Sequence, residues 1–136
     1  MKTGEDSLCA LLLGEYGDGR LLIDEIFRDA GWELLEACGP NEALAQLGNE
    51  SIHVVIARSE TSGWDWKNLL NILEKRSKPP QLIVTSRTAD EHLWSEVLNC
   101  GGYDVLAEPL RRDEVERVVA GARRQFGPRK VRTAGG

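Results

Sequence analysis

Five short apolar runs, each followed by a stretch whose apolar residues recur at helical spacing, set the tightest limit on what this chain can fold into. The runs are residues 8–13, 32–37, 53–57, 81–85 and 103–107. Their length suits strands buried on both faces, although periodicity alone leaves a buried helix open. The second run is the weakest, because Glu33 and Glu36 interrupt it. Five helical stripes follow in turn. They are Leu22, Ile23, Ile26, Phe27 and Ala30; Ala43, Leu44 and Leu47; Trp66, Leu69, Leu70 and Leu73; Leu93, Trp94, Val97 and Leu98; and Val115, Val118, Val119, Ala122 and Phe126. Asp24, Glu25 and Arg28 fall on the far side of the first stripe, as an amphipathic helix requires.

Turn chemistry falls between these segments. Gly17-Asp18-Gly19 is turn material, with Asp18 expected to cap the first helix. Gly31 is expected to stop that helix, and Gly39-Pro40 opens the second with proline in the first turn. Thr88-Ala89-Asp90-Glu91 fits a capping box, Thr88 capping and Glu91 reaching back. Strand and helix thus alternate five times, and right-handed crossovers turn such a chain into a doubly wound parallel sheet between two helix layers. Ligands in such sheets sit at the carboxyl ends of the strands. Here that edge collects Gly14-Glu15, Arg58, Thr85 and Glu108. The third run, which reads as the central strand, ends on a cation.

At 136 residues the chain makes one domain with a core of its own. A net charge of −5 argues against nucleic acid as the main partner. No apolar run approaches the length of a membrane span, and no signal-peptide core follows residue 6. Cys9, Cys38 and Cys100 lie in or beside apolar segments without metal-ligand spacing, so they read as reduced core thiols of a cytoplasmic protein. With His53 and His92 as the only histidines, no metal site is expected. From Arg123 onward the chain turns basic, and residues 127–136 read as a flexible tail.

Several segments in order resemble the receiver domain of bacterial response regulators, the two-component signalling family. They are Ala30-Gly31-Trp32-Glu33-Leu34-Leu35-Glu36-Ala37, Glu42-Ala43-Leu44, Leu82-Ile83-Val84-Thr85 and Cys100-Gly101-Gly102-Tyr103-Asp104-Val105-Leu106-Ala107-Glu108-Pro109. The resemblance covers about residues 8–126, leaving residues 1–7 as an N-terminal extension. It implies a flavodoxin-like (βα)5 three-layer sandwich with a parallel five-stranded sheet in the order 2-1-3-4-5. In that family an aspartate ending the third strand accepts a phosphoryl group from a histidine kinase. Two acids after the first strand help bind Mg²⁺, a Thr or Ser ends the fourth strand, and a Lys-Pro pair follows the fifth.

Carried over residue by residue, most of that machinery is missing. The acid pair falls on Gly14 and Glu15, the acceptor on Arg58, the lysine on Glu108, while Thr85 and Pro109 match. By the same resemblance the Glu108–Pro109 bond is a candidate cis peptide. The family's aromatic switch position falls on Val105, which leaves Thr85 without its usual aromatic partner. Arg58 is no nucleophile, and one carboxylate beside an arginine is a poor site for Mg²⁺. Mg²⁺ binding is therefore expected to be lost or weak, and no other cofactor, metal or catalytic residue is expected. Arg58 either pairs with Glu108, with Glu15 as a second carboxylate partner, or snorkels to solvent.

The expected role is a phosphorylation-independent protein–protein interaction module, not an enzyme. Its partner would be a histidine kinase, another signalling protein or a second copy of the chain. The family's interface draws on the fourth helix, fifth strand and fifth helix, here with Trp94, Tyr103, Val105, Arg111 and Arg112 as candidates. An alternative is a small-anion or metabolite sensor using Arg58 and Thr85, which requires Arg58 to be free of Glu108. A flavodoxin-like enzyme has little support, because no activated nucleophile or cofactor loop is evident. Trp64 and Trp66 are a weaker candidate surface, and Glu60 and Asp65 are distant substitutes for the acceptor.

Overall fold

A computed structural model of the chain describes residues 7–49, 51–59 and 65–126. Ten elements alternate strictly: β1 Cys9–Leu13, α1 Asp18–Ala30, β2 Glu33–Ala37, α2 Pro40–Asn49, β3 Val54–Arg58, α3 Trp66–Glu74, β4 Gln81–Ser86, α4 Glu91–Cys100, β5 Asp104–Ala107 and α5 Arg112–Arg124. The five strands form one parallel sheet in the order β2-β1-β3-β4-β5. This is the flavodoxin-like arrangement expected from the sequence. The tail at 127–136 and most of the N-terminal extension lie outside the described residues.

Side-chain alternation along the strands splits the core in two. Leu11, Leu13, Val55, Ala57, Leu82 and Val84 pack with α2, α3 and α4 residues such as Leu47, Leu69 and Val97. Ala10, Leu12, Val54, Ile56, Ile83 and Leu106 pack with α1 and α5 residues such as Ile23, Phe27, Val115 and Val119. β1, β3 and β4 are buried along nearly their whole length, whereas the edge strand β2 exposes Glu33 and Glu36. The glutamates that weakened the second run are the outer surface of that strand.

Local chemistry departs from expectation at several points. Gly17 is the N-cap of α1 and Asp18 lies inside its first turn, where a carboxylate favours the helix dipole without capping. α4 starts two residues later than the capping box implied. Asp90 caps it, accepting from Leu93 N–H at 2.9 Å, while Thr88 N–H donates to Ser86 Oγ at 3.1 Å. Gly31 ends α1 as expected, with φ of 73°, a region natural only to glycine. Of the three thiols only Cys9 is buried. Cys38 follows the end of β2 and Cys100 closes α4, both exposed, because proximity to an apolar run does not decide which way a residue at its end faces. Trp94, placed by spacing on the inner stripe of α4, is 49% exposed.

Candidate functional site

Strand parity brings the edge residues together. Arg58 shares the face of Val54 and Ile56, Thr85 that of Ile83, and Glu108, two residues beyond Leu106, continues the same face. Arg58 and Thr85 are also direct register partners between β3 and β4, and Glu108 N–H donates to Ser86 O at 2.9 Å just past β5. Three side chains far apart in sequence therefore meet on the α1/α5 side of the sheet at its carboxyl edge.

There they form a hydrogen-bonded set. Arg58 Nε donates to Glu108 Oε2 at 2.9 Å and Nη2 to Oε1 at 2.7 Å, a two-point guanidinium–carboxylate fork. Their side chains are only 19% and 9% exposed. Thr85 Oγ1, fully buried, donates to Glu108 Oε2 at 3.1 Å. Tyr16 Oη lies 2.8 Å from Thr85 Oγ1. Because the single Thr85 proton goes to the carboxylate, the phenol must be the donor to Thr85. The Tyr16 ring also faces the Arg58 guanidinium, 5.6 Å from centroid to Cζ, a cation–π distance. Arg58 Nη1 donates to the Glu15 main-chain carbonyl. Among the described residues, no buried side-chain nitrogen or oxygen lacks a partner.

One expectation is corrected by this geometry, and a second is completed by a residue from elsewhere. Glu15 contacts Arg58 through its backbone oxygen, while the side chain stands exposed, so it is not a second carboxylate partner. Thr85 does have an aromatic partner, Tyr16, which sits in the β1–α1 loop and not on β5. Tyr16 is the site residue that sequence reasoning missed. The signal available was the unpaired Thr85 itself, which called for a search of every aromatic near the sheet edge. The pairing of Arg58 with Glu108 is as expected, and the peptide bond to Pro109 is cis. Gly14 has φ of 115°, so a side chain there would be strained.

The remaining candidates scatter. Tyr103 is half-buried against the α1/α5 core cluster, and Val105 packs against the other. Trp94 is exposed, its Nε1 3.2 Å from Asp104 Oδ1. Arg111 is the exposed N-cap of α5, while Arg112 turns to α1, pairing with Glu25, Asp29 and Glu116. The neighbouring carboxylates, Asp29 first, raise its pKa against the opposing effect of burial. Trp66 is buried in the core, and Asp65 caps α3 by accepting from Asn68 N–H at 2.8 Å. Trp64 and Glu60 lie outside the described residues. No group of three metal-ligating side chains occurs among the described residues, nor does any helix long and apolar enough to cross a membrane.

A parallel sheet in this order, with the candidate site at its carboxyl edge, is the flavodoxin-like arrangement that receiver domains of two-component response regulators share with other proteins. Solved structures agree. The chain is similar to the Francisella response regulator 1452 receiver domain, at TM-score 0.74 and 21% identity, covering 87% of this chain and 98% of that one. A response regulator from Thermotoga maritima gives TM-score 0.76 and 19% identity, with the same coverage of 87% and 98%. Full-length FixJ from B. japonicum gives 0.75 and 20%, covering 86% of this chain but 58% of that one. At these identities the likeness is one of fold. No protein-family model and no curated protein matches the chain.

Proposed function

We propose that this chain is a receiver-type signalling module that works by binding other proteins, without accepting a phosphoryl group at the end of β3 and without catalysis of its own. The observation that carries the reading is the two-point Arg58–Glu108 pair, with Thr85 and Tyr16 closed around it. A guanidinium has no lone pair to attack phosphorus at any ordinary pH. Mg²⁺ asks for several oxygen ligands at close range. Gly14 offers no side-chain oxygen, the Glu15 carbonyl already serves Arg58, and the Arg58 charge repels a cation. The residues at this edge do not fit the ion. A small-anion sensor is disfavoured, because an anion would have to displace Glu108 from Arg58.

The partner is a protein: a histidine kinase, another signalling protein or a second copy, met in the cytoplasm through the face of α4, β5 and α5. Trp94 at 49% exposure is the natural anchor of that face, since large aromatics dominate binding energy. The test is incubation with acetyl phosphate and Mg²⁺ followed by intact-mass analysis, with Arg58→Asp run beside the wild type. The wild type is expected to gain no phosphoryl adduct. A stable adduct on it would overturn the reading.

A further inference from the structure

In a parallel sheet each connecting helix returns the chain from the carboxyl edge to the amino edge, so the helices start at one edge and end at the other. Acids mark the starting edge: Asp18, Glu42, Asp65, Glu91 and Asp113 each stand at the cap or in the first turn of a helix. Cations gather at the opposite edge. Lys75, Arg76 and Lys78 follow α3, Arg124 closes α5, and all four are exposed. None of the four belongs to an ion pair among the described residues. Lys75 is the C-cap of α3 and Arg124 lies in the last turn of α5, where a cation favours the helix dipole. That effect fades within about one turn, so it does not explain Lys78, which lies beyond it.

The two groups of cations meet across the starts of β3 and β4. Gln81 Nε2, in the first residue of β4, donates to Gln125 O at 2.9 Å. The His53 ring, one residue before β3, stands edge-on to Phe126 at 4.8 Å between centroids. α3 packs on one face of the sheet and α5 on the other, so the cations bracket the sheet end from both sides. Arg123 is committed locally, donating to Ser7 O at 2.8 Å and lying over Phe126, and the surface does not depend on it. In sequence the basic run continues with Arg129, Lys130 and Arg132, and no acid follows Glu116.

We propose that this amino edge binds an extended segment of a partner protein rich in Asp and Glu. The class follows from how narrow the basic surface is. Glu33 opens β2 and Asp104 opens β5, at the two ends of the same edge. At about 4.8 Å per strand, Asp104 lies about 5 Å beyond β4 and Glu33 about 10 Å from β3. A DNA duplex or an anionic bilayer laid across the edge would press its phosphates onto both acids, within about a Debye length. The exposed large apolar side chains, Leu21, Leu44 and Trp94, stand in the first halves of α1, α2 and α4, so none at this edge is placed to enter a bilayer or stack on bases. A short extended run, rising about 3.3 Å per residue, passes over the sheet end from the α3 cations to Arg124 without meeting either acid. This surface rests on the protein-binding role proposed above and gives it a partner chemistry. The acetyl phosphate test reads Arg58 at the far edge, so the two results fail separately.

The test is fluorescence anisotropy of fluorescein-labelled deca-glutamate titrated with the full chain at about 150 mM salt, where charges are screened beyond about 8 Å. Deca-glutamine is the neutral control, and a short DNA duplex and phosphatidylserine vesicles are the rival polyanions. Deca-glutamate is expected to bind saturably and deca-glutamine not at all. Amide shifts of the ¹⁵N-labelled chain are expected to centre on residues 75–78 and 124–126. Lys75→Glu, Arg76→Glu and Lys78→Glu together are expected to weaken binding about tenfold or more, and Arg124→Glu about threefold, the scale of exposed charge contacts. Arg117→Glu makes the same change in net charge about two turns earlier on α5, and is expected to stay within about twofold of wild type. All these positions are exposed, and unchanged urea midpoints will show that the variants fold. Absence of saturable binding at millimolar concentration overturns the proposal. So do equal losses from Arg117→Glu and Arg124→Glu, shifts that leave residues 75–78 unmoved, or tighter binding of the duplex or the vesicles than of deca-glutamate.

Discussion

If the Arg58–Glu108 fork holds the carboxyl edge together, breaking it from one side should cost far more than removing it whole. Arg58→Met leaves the Glu108 carboxylate, 9% exposed, with Thr85 as its remaining side-chain donor. Glu108→Leu leaves a guanidinium that is 19% exposed, and takes the acceptor from Thr85 as well. Removing one member of a buried ion pair costs about 3–5 kcal/mol. Both side chains retain some access to water, so about 3 kcal/mol for each single variant is the reasonable figure. Replacing both with apolar residues of similar volume removes the desolvation cost along with the attraction, so the double variant should lie within about 1 kcal/mol of wild type. Urea unfolding measures this. With a slope of about 1.5 kcal/mol per molar, each single variant should lower the midpoint by about 2 M. The double variant should recover most of that loss. A coupling energy below about 0.5 kcal/mol, the value of an exposed pair, would show that Arg58 and Glu108 do not act as a unit and would refute the reasoning.

Two further outcomes follow from other parts of the molecule. Cys9 N–H donates to His53 Nδ1 at 3.0 Å, which requires a neutral ring, and burial followed by the charge of Arg123 lowers its pKa from 6.5. The unfolded chain then binds the proton more readily, so this contribution is complete above 6.5 and is lost as pH falls through the lowered folded value. Unfolding curves between about pH 5 and pH 8 should show that loss in the wild type and a smaller one in His53→Asn; equal slopes would contradict it. Trp94→Ala should change stability by no more than about 0.5 kcal/mol, as for an exposed site. It should also weaken partner binding or self-association about tenfold or more, measured by sedimentation, since aromatic anchors carry such energies. No change in any association would remove Trp94 from the interface.

The sheet and its helices were legible because each strand is a short apolar run and each helix an amphipathic stripe. Both patterns are local consequences of burying one face. The pairing of Arg58 with Glu108 was legible only as one of two alternatives, since opposite charges at two strand ends of one sheet edge either pair or reach for solvent. What could not be read was set by rotation and loop path. Trp94 fits the α4 stripe by spacing, yet the helix buries Val97 and turns the indole outward. Asp18 and Thr88 have capping chemistry, but Gly17 and Asp90 hold the cap positions, because helix starts depend on how the preceding loop leaves the sheet. Tyr16 is a lone aromatic between Glu15 and Gly17, with no periodicity to mark it, and only the folded loop carries it to Thr85.

The outer strands of the sheet have a consequence for backbone pairing between copies of the chain. β2 ends the sheet on one side with Glu33 and Glu36 exposed, and β5 ends it on the other with four residues that include Asp104. Charged, short edges resist the addition of a further strand, because an incoming backbone would have to pass close to carboxylates for few ladder bonds. Among the described residues, the short, charged edges themselves oppose a sixth strand. Edges of this kind steer contact between copies away from backbone pairing that would propagate into a fibre.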